Sequence, residues 1–290
     1  MKVLIGCLLF REYTGSEMYV FELAKNLIDL GCEVTVTSPN IGGPLTDLAR
    51  SFGIKTHNLS STFQNKNYDI IHSQHYPVTE TLLKIFPNKK MICSIHSEIY
   101  QLENPILHPN IKKYIAIRPQ IKNHLVNNFW IPEEKITVIY NPIDIEKYNT
   151  LNTRDDGYTL FVGTIDYTRQ NTIFDLVDYT RNDNRELWLV GKNHGKYLPL
   201  ILTNSHVKYF DSTYDVDYFV KNCKETAGIL LGRTTIEGWL TGKPGWIYDV
   251  DGNGNIKSKE LHQVPEDLDR FNSKLVVKQI KEEYYKILTQ

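Results

Sequence analysis

The chain has 290 residues, a formal net charge of −1 and an isoelectric point near 6.8. That length can bury two cores of ordinary size. The balanced charge leaves no global basic field that would make nucleic acid or an anionic membrane an obligatory partner.

No apolar run approaches the ~20 residues that span a bilayer, and Met1-Lys2 leads straight into a strand-like run without a signal-peptide pattern. Cys7, Cys32, Cys93 and Cys223 form no CxxC pair. These features predict a soluble, cytoplasmic protein with free thiols packed as small apolar groups.

Lys2 to Leu9 is a near-continuous apolar run, as expected of a strand buried on both faces of a parallel sheet. Thr14 and Glu17 have capping-box spacing, and Val20, Leu23, Ala24, Leu27 and Leu30 then recur at helical period up to Gly31. Glu33 to Thr37 reads as the next strand, so the chain opens with a βαβ unit turned around Gly15. Leu45 to Phe52 reads as a short helix, and Tyr68 to His72, Met91 to Ile95 and Tyr114 to Ile117 as strands. A helix near Ile121 to Asn127 and a strand over Ile136 to Tyr140 complete this half.

Ile145 to Gly157 is polar and charged and reads as a linker. The alternation then restarts. Strands are expected over Tyr158 to Val162, Glu186 to Val190 and His206 to Phe210, and helices over Thr172 to Thr180 and Val216 to Asn222. Gly228 to Leu231 reads as a buried strand. It leads through Gly232 into a two-turn helix capped by Thr234 or Thr235 and stopped by Gly242 and Pro244. Trp246 to Val250 is a further strand, Gly252 to Leu261 is loop-rich, and Phe271 to Leu288 has helical period. The predicted class is α/β, with two Rossmann-like, doubly wound domains, 1–145 and 146–290, and a ligand cleft between them. The last helix is placed so that it could return to the first domain.

Ligands of such sheets lie outside the carboxyl ends of the strands. Those ends gather Gly15, His72 with His75, His96, Asn141, the loop from Gly163 to Arg169, Gly191, and Gly232 to Glu237. Free amides at the helix start near Thr234 and Thr235 suit a diphosphate, and Glu237 suits a ribose diol. Thr234-x-x-Glu237 has capping-box spacing too, so a purely local role for Glu237 stays open. His72, His75 and His96 could be counted as zinc ligands, but facing a cleft or bonding the backbone is the plainer reading, and no metal site is assigned. Asp249-Val250-Asp251 has a DxD spacing but reads better as turn chemistry before Gly252-Asn253-Gly254.

Taken in order, these stretches resemble the retaining family-4 glycosyltransferases of GT-B architecture. The opening Gly15-Ser16-Glu17, the strand ends Asp69 to His75 and Ile95-His96, and Lys135 to Asp144 carry the first part of the likeness. Phe161-Val162-Gly163, Leu187 to Gly191, and Gly232 to Glu237 with Gly242-Lys243-Pro244 carry the rest.

The resemblance implies a metal-independent enzyme, with no cofactor beyond a nucleoside diphosphate sugar, UDP-sugar above all, as co-substrate. It implies that Glu237 holds the ribose and that the amides of Thr234 and Thr235 meet the diphosphate. Arg169 would stabilise the leaving group, Gly15 would admit the donor phosphates, and His96 would lie near the transferred sugar. Gly163 and Gly191 end the two donor-side strands. Where the family usually has arginine the chain has Thr164, and where it usually has a second glutamate the chain has Ile229; Arg233 is expected to supply the missing charge.

Tyr13, His75, Tyr76 and Arg118 are expected on the acceptor side. The implied acceptor is a saccharide or a lipid-linked saccharide, with a modified nucleic-acid base as a lesser alternative. Two rival classes remain: a nucleotide-sugar epimerase, and a catalytically degenerate sugar-nucleotide-binding protein. An NAD-binding protein is weaker, because the first turn lacks G-x-G-x-x-G.

Overall fold

The computed structural model describes residues 1–59, 67–148 and 153–289, and the chain divides into two compact units. The first unit comprises Met1–Glu12, Ser16–Pro142 and Arg270–Gln290; the second comprises Tyr13–Gly15 and Ile143–Asp269.

The first unit runs β1 (Lys2–Gly6), β2 (Leu9–Phe10), α1 (Gly15–Asp29), β3 (Glu33–Ser38), β4 (Asn40–Ile41), α2 (Gly43–Ser51), β5 (Lys55–Asn58), β6 (Ile70–Gln74), α3 (Tyr76–Ile85), β7 (Met91–Ile95), β8 (Ile111–Ala116), α4 (Pro119–Phe129) and β9 (Ile136–Val138). Seven strands form one parallel sheet in the order β5-β3-β1-β6-β7-β8-β9. This is the order of a doubly wound sheet, with its switch point between β1 and β6. β6 and β7 are buried along their whole length, as strands covered on both faces are, although β6 ends in the polar His72-Ser73-Gln74 and β7 carries Ser94. β2 and β4 pair as a small separate ribbon.

The C-terminal helix Ser273–Thr289 belongs to this unit. Tyr284 Oη bonds His72 Nδ1 at 2.6 Å, Lys281 donates to the Leu30 carbonyl at 2.7 Å, and Lys90 donates to the Ile287 carbonyl at 2.9 Å. Ser94 Oγ continues the buried chain, meeting His72 Nε2 at 2.7 Å and Tyr19 Oη at 2.8 Å. Burial pushes the His72 imidazole down to about 3.

The second unit runs β10 (Thr159–Val162), α5 (Gln170–Asn182), β11 (Leu187–Val190), α6 (Leu198–Ile201), β12 (Val207–Phe210), α7 (Val216–Asn222), β13 (Glu225–Ile229), α8 (Arg233–Leu240), β14 (Gly245–Val250) and β15 (Ile256–His262); the C-terminal helix is then α9. Its sheet has the order β12-β11-β10-β13-β14-β15, again with the switch beside the first strand. Small residues set how closely α8 lies on this sheet. A Cβ on Gly238 would fall 2.7 Å from Thr226 Oγ1, and one on Gly245 would fall 2.7 Å from Thr235 Cγ2.

Several expectations are corrected. Gly252 to Leu261 is not all loop: β15 pairs antiparallel with β14 as an edge strand. Its burial pattern is largely exposed, so the apolar alternation that marks a half-buried strand is missing. The strand expected over Gly228–Leu231 is β13, ending at Ile229, because Leu230 takes a left-handed φ of 57°. Ile145–Tyr148 is a 3-10 turn with Tyr148 buried rather than a solvated linker, while residues 149–152 of that segment lie outside the described residues. All four cysteines are free and buried. Among the described residues no helix is long and apolar enough to cross a membrane.

Candidate active site

In the second unit the site is built at the carboxyl ends of β10, β11 and β13. Gly163 and Gly191 end neighbouring strands, and the Gly163 amide bonds the Val190 carbonyl at 2.9 Å. Gly191 has a φ of +151°, and a Cβ there would lie 2.1 Å from the Gly163 carbonyl oxygen. Gly191 is thus required by backbone packing, whereas a Cβ on Gly163 would meet only side-chain atoms at ordinary contact distance, Phe161 Cε1 nearest at 3.4 Å. Gly15, the first residue of α1, differs: its φ is unexceptional, and a Cβ there meets nothing within 4 Å.

Past β13 the chain turns through Leu230 and Gly232 into α8. Gly232 precedes this helix and no side chain caps it, which corrects the expected cap by Thr234 or Thr235 and removes the capping-box role of Glu237. Thr234 Oγ1 instead donates to the Val162 carbonyl at 3.0 Å, tying the helix start to the end of β10. Thr235 Oγ1 is buried against the sheet, without a hydrogen-bond partner among the described residues. The backbone amides of Thr234 and Thr235 sit in the first helical turn, where geometry supplies no intrahelical acceptor.

Glu237 lies one turn further on, 4% exposed. Its Oε1 meets Arg233 Nη2 at 3.1 Å, and the Tyr148 hydroxyl hydrogen-bonds the same carboxylate. Burial, and then the Glu237 charge, hold the Tyr148 phenol well above its ordinary value, which keeps it a protonated donor. Lys147 stands over the Tyr214 ring at 3.5 Å from its centroid, donates to the Tyr214 carbonyl and lies 3.6 Å from Asp217. Burial lowers its ammonium, opposed by Asp217 and then Glu237. The Tyr13 ring packs on that of Tyr214, 5.8 Å between centroids.

Arg169 stands at the head of α5, where its Nη1 meets Asp166 Oδ2 at 2.7 Å and Thr168 Oγ1 at 3.0 Å. The side chain keeps 28% of its exposure and runs past Gly163, with Nε 3.9 Å from where a Cβ would stand. Asp251 is a turn residue: its carboxylate accepts the amides of Asn253 and Asn255 at 2.8 and 2.9 Å. Among the described residues no group of three or more His, Cys, Asp or Glu is arranged to hold a metal ion.

In the first unit the ends of β6, β7 and β8 bring together Gln74, His75, His96 and Arg118. His96 Nε2 meets Gln74 Oε1 at 2.7 Å, and Gln74 Nε2 donates to the Ser16 carbonyl at 3.1 Å. His75 sits at the head of α3 with a left-handed φ of 67°, and its Nδ1 accepts the Leu8 amide at 3.2 Å, across the switch point. Its Nε2 faces Glu103 Oε1 at 3.4 Å, while Glu103 Oε2 accepts the His96 amide at 3.1 Å. Burial pushes Glu103 up to about 7 and His75 down to about 4. Arg118 is buried and paired with Glu98, and Tyr76 begins α3, partly exposed.

Tyr148, Lys147, Gln74 and Glu103 were missed as site residues. Tyr148 and Lys147 belong to a stretch whose polarity imitates a linker. Glu103 reaches the site from a 3-10 turn over Gln101–Glu103, too short for any periodicity to mark it. Gln74 lies between His72 and His75, so its position at a strand end was a usable signal.

Residues 13–147 match the model of Glycosyltransferase Family 4. The matched segment is just under half of the chain. No curated protein matches the sequence at a significant level. Solved structures do. HepE of Anabaena, solved in complex with UDP and glucose, is 14% identical with a TM-score of 0.74, over 99% of this chain and 100% of that one. A glycosyltransferase from Rickettsia africae is 14% identical with a TM-score of 0.69, over 99% and 98%. Sucrose-phosphate synthase of Thermosynechococcus elongatus is 13% identical with a TM-score of 0.69, over 100% and 99%. The chain therefore has the two-domain α/β fold of the GT-B glycosyltransferases.

Proposed function

We propose that this protein transfers a hexosyl or pentosyl group from a nucleoside diphosphate sugar, a UDP-sugar above all, to an acceptor hydroxyl. The reaction proceeds with retention of anomeric configuration and without metal or other cofactor. Residues 1–145 serve the acceptor, residues 146–290 bind the donor, and the enzyme works in the cytoplasm. The observation that carries this reading is the buried Glu237 carboxylate, held by Arg233 and Tyr148 one turn inside a helix that starts at a strand-order switch.

A carboxylate so placed accepts two hydroxyls of a ribose, and the amides of Thr234 and Thr235 meet the adjoining diphosphate. The UDP in HepE and the Glycosyltransferase Family 4 match support the choice of donor.

In the reaction the bond from the anomeric carbon to the diphosphate oxygen breaks, and a bond to the acceptor oxygen forms. The acceptor proton passes to the departing diphosphate. Negative charge grows on that diphosphate, where Arg169, Arg233 and the helix-start amides stabilise the transition state more than the ground state. Gly15 leaves room for the phosphates, and His96 faces the transferred sugar. The acceptor is a saccharide or lipid-linked saccharide, met by Tyr13, His75, Tyr76 and Arg118.

A thermal-shift screen over nucleoside diphosphate sugars, followed by mass spectrometry of products with saccharide acceptors, tests the proposal. A stabilising UDP-sugar and a product heavier by one glycosyl unit are expected. An isomerised donor formed without acceptor would mean epimerisation instead, and tight donor binding without turnover would mean a binding module.

A further inference from the structure

We propose that Lys147 is a positioning residue: it holds the turn that carries Tyr148, and through Tyr148 it aims the Glu237 carboxylate at a ribose diol. The aim rests on the reading of Glu237 as the nucleoside's anchor. The hold rests on contacts that all lie within the second unit.

Ile145–Tyr148 forms a single 3-10 turn that packs against both α7 and α8. Consecutive residues of such a turn point about 120° apart, so Lys147 and Tyr148 reach different neighbours. Tyr148, 3% exposed, brings its hydroxyl to Glu237 on α8. Lys147 turns to the other side. Its ammonium donates to the Tyr214 carbonyl, stands 3.5 Å from the centroid of the Tyr214 ring, and lies 3.6 Å from Asp217 Oδ1 on α7. Asp217 is fixed in turn by Lys221, which meets its Oδ2 at 3.2 Å one helical turn further on.

A tyrosine side chain has two χ angles, so its hydroxyl goes where the backbone puts it. The backbone at Tyr148 is fixed from the far side by the Lys147 contacts. A carboxylate offers about four lone-pair sites. Arg233 takes one on Oε1 and Tyr148 takes another, which leaves about two for the 2′- and 3′-hydroxyls of a ribose. A carboxylate that turns with a loosened Tyr148 no longer presents both.

Calorimetric titration of UDP and of 2′-deoxy-UDP tests this, with thermal melts to show which variants are folded. Losing the Lys147 charge weakens both ligands alike, so the ratio of their affinities isolates the aim of Glu237. The wild type should prefer UDP by about tenfold or more, the worth of one charged hydrogen bond. Lys147→Met should shrink that preference by at least about threefold, the scale of coupling between groups in contact. Asp217→Asn, which loosens Lys147 more gently, should shrink it less, and it decides the matter where Lys147→Met does not fold. The double variant Lys147→Met/Tyr148→Phe should discriminate no worse than Tyr148→Phe alone. A wild-type preference that survives unchanged in the deciding variant overturns the role of Lys147 and leaves Glu237 standing. A double variant that loses the preference additively shows that Lys147 does not act through Tyr148, and overturns the proposal too. A wild type that binds the two ligands equally, or binds neither, overturns the reading of Glu237 and the proposal with it.

Discussion

Arg233 and Glu237 face each other across one turn of α8, guanidinium to carboxylate at 3.1 Å, with side-chain exposures of 11% and 6%. The pair is buried, so each partner offsets part of the other's lost hydration. Tyr148 is the third member, from a segment far away in sequence, and it directs the carboxylate without adding charge.

Tyr148→Phe tests that third contact. It removes a hydrogen bond to a charged group, worth about 1.5–3 kcal/mol. Chemical denaturation should show a loss of that order, and calorimetry should show UDP-sugar affinity reduced several-fold as Glu237 loses its orientation. Unchanged stability would mean that the phenol contributes nothing there.

Arg169 and Arg233 are the two cations assigned to the leaving diphosphate. Arg169→Ala and Arg233→Ala should each lower kcat by about 100-fold, the usual cost of removing one group that stabilises a developing anion. Arg169 is partly exposed and should leave Tm nearly unchanged, whereas loss of Arg233 strands a buried carboxylate and should lower Tm as well. If turnover survives both changes, Arg233 does not stand in for the charge absent at Thr164.

Two glycines separate packing from ligand access. Gly191→Ala forces a Cβ to 2.1 Å from a neighbouring carbonyl and should cost about 3 kcal/mol or more, read by denaturant titration. Gly15→Ala meets nothing within the protein, so its Tm should hold while donor KM rises. A Gly15→Ala enzyme with wild-type kinetics would remove Gly15 from the donor path.

The buried histidines make stability depend on pH. His72 is neutral when folded, with its value pushed down to about 3, against an ordinary value near 6.5 in the unfolded chain. The unfolded chain therefore gains a proton below about 6.5 that the folded protein refuses until about 3. Stability present above that window is lost as pH falls through it. Glu103 acts oppositely: raised to about 7 when folded, it costs stability as pH rises from its unfolded value near 4.3. Thermal melts from pH 7 down to 4 should fall less steeply in His72→Gln than in the wild type. Equal slopes would show that His72 protonates freely in the folded state.

Much of the fold was legible because its signals are local. Met91–Ile95 and Val216–Asn222 are read from the residues alone with their observed limits, one from an apolar run broken only by Ser94 and one from helical spacing. β15 was not legible, since an exposed edge strand held by backbone pairing needs no apolar alternation. α3 is weakly marked in the sequence: Val78 and Leu82 are four apart, but the absence of a side-chain cap leaves its start without the usual signal.

Within the site, the glycines and acids at strand ends were visible, since turns announce them. Tyr148 and Glu103 were not, because only the fold brings them to Glu237 and His96. The reason for Gly191 was hidden too: a close approach between two backbones leaves no mark in either strand's own sequence.

The most direct test of the donor site is calorimetric titration of UDP-sugar into the wild type and Glu237→Ala, with melts to show that both are folded. A dissociation constant raised about 10–100-fold in the variant, the worth of a charged hydrogen bond to the ribose, is predicted. Equal affinity in two folded proteins would contradict the assignment of Glu237 as the nucleoside's anchor.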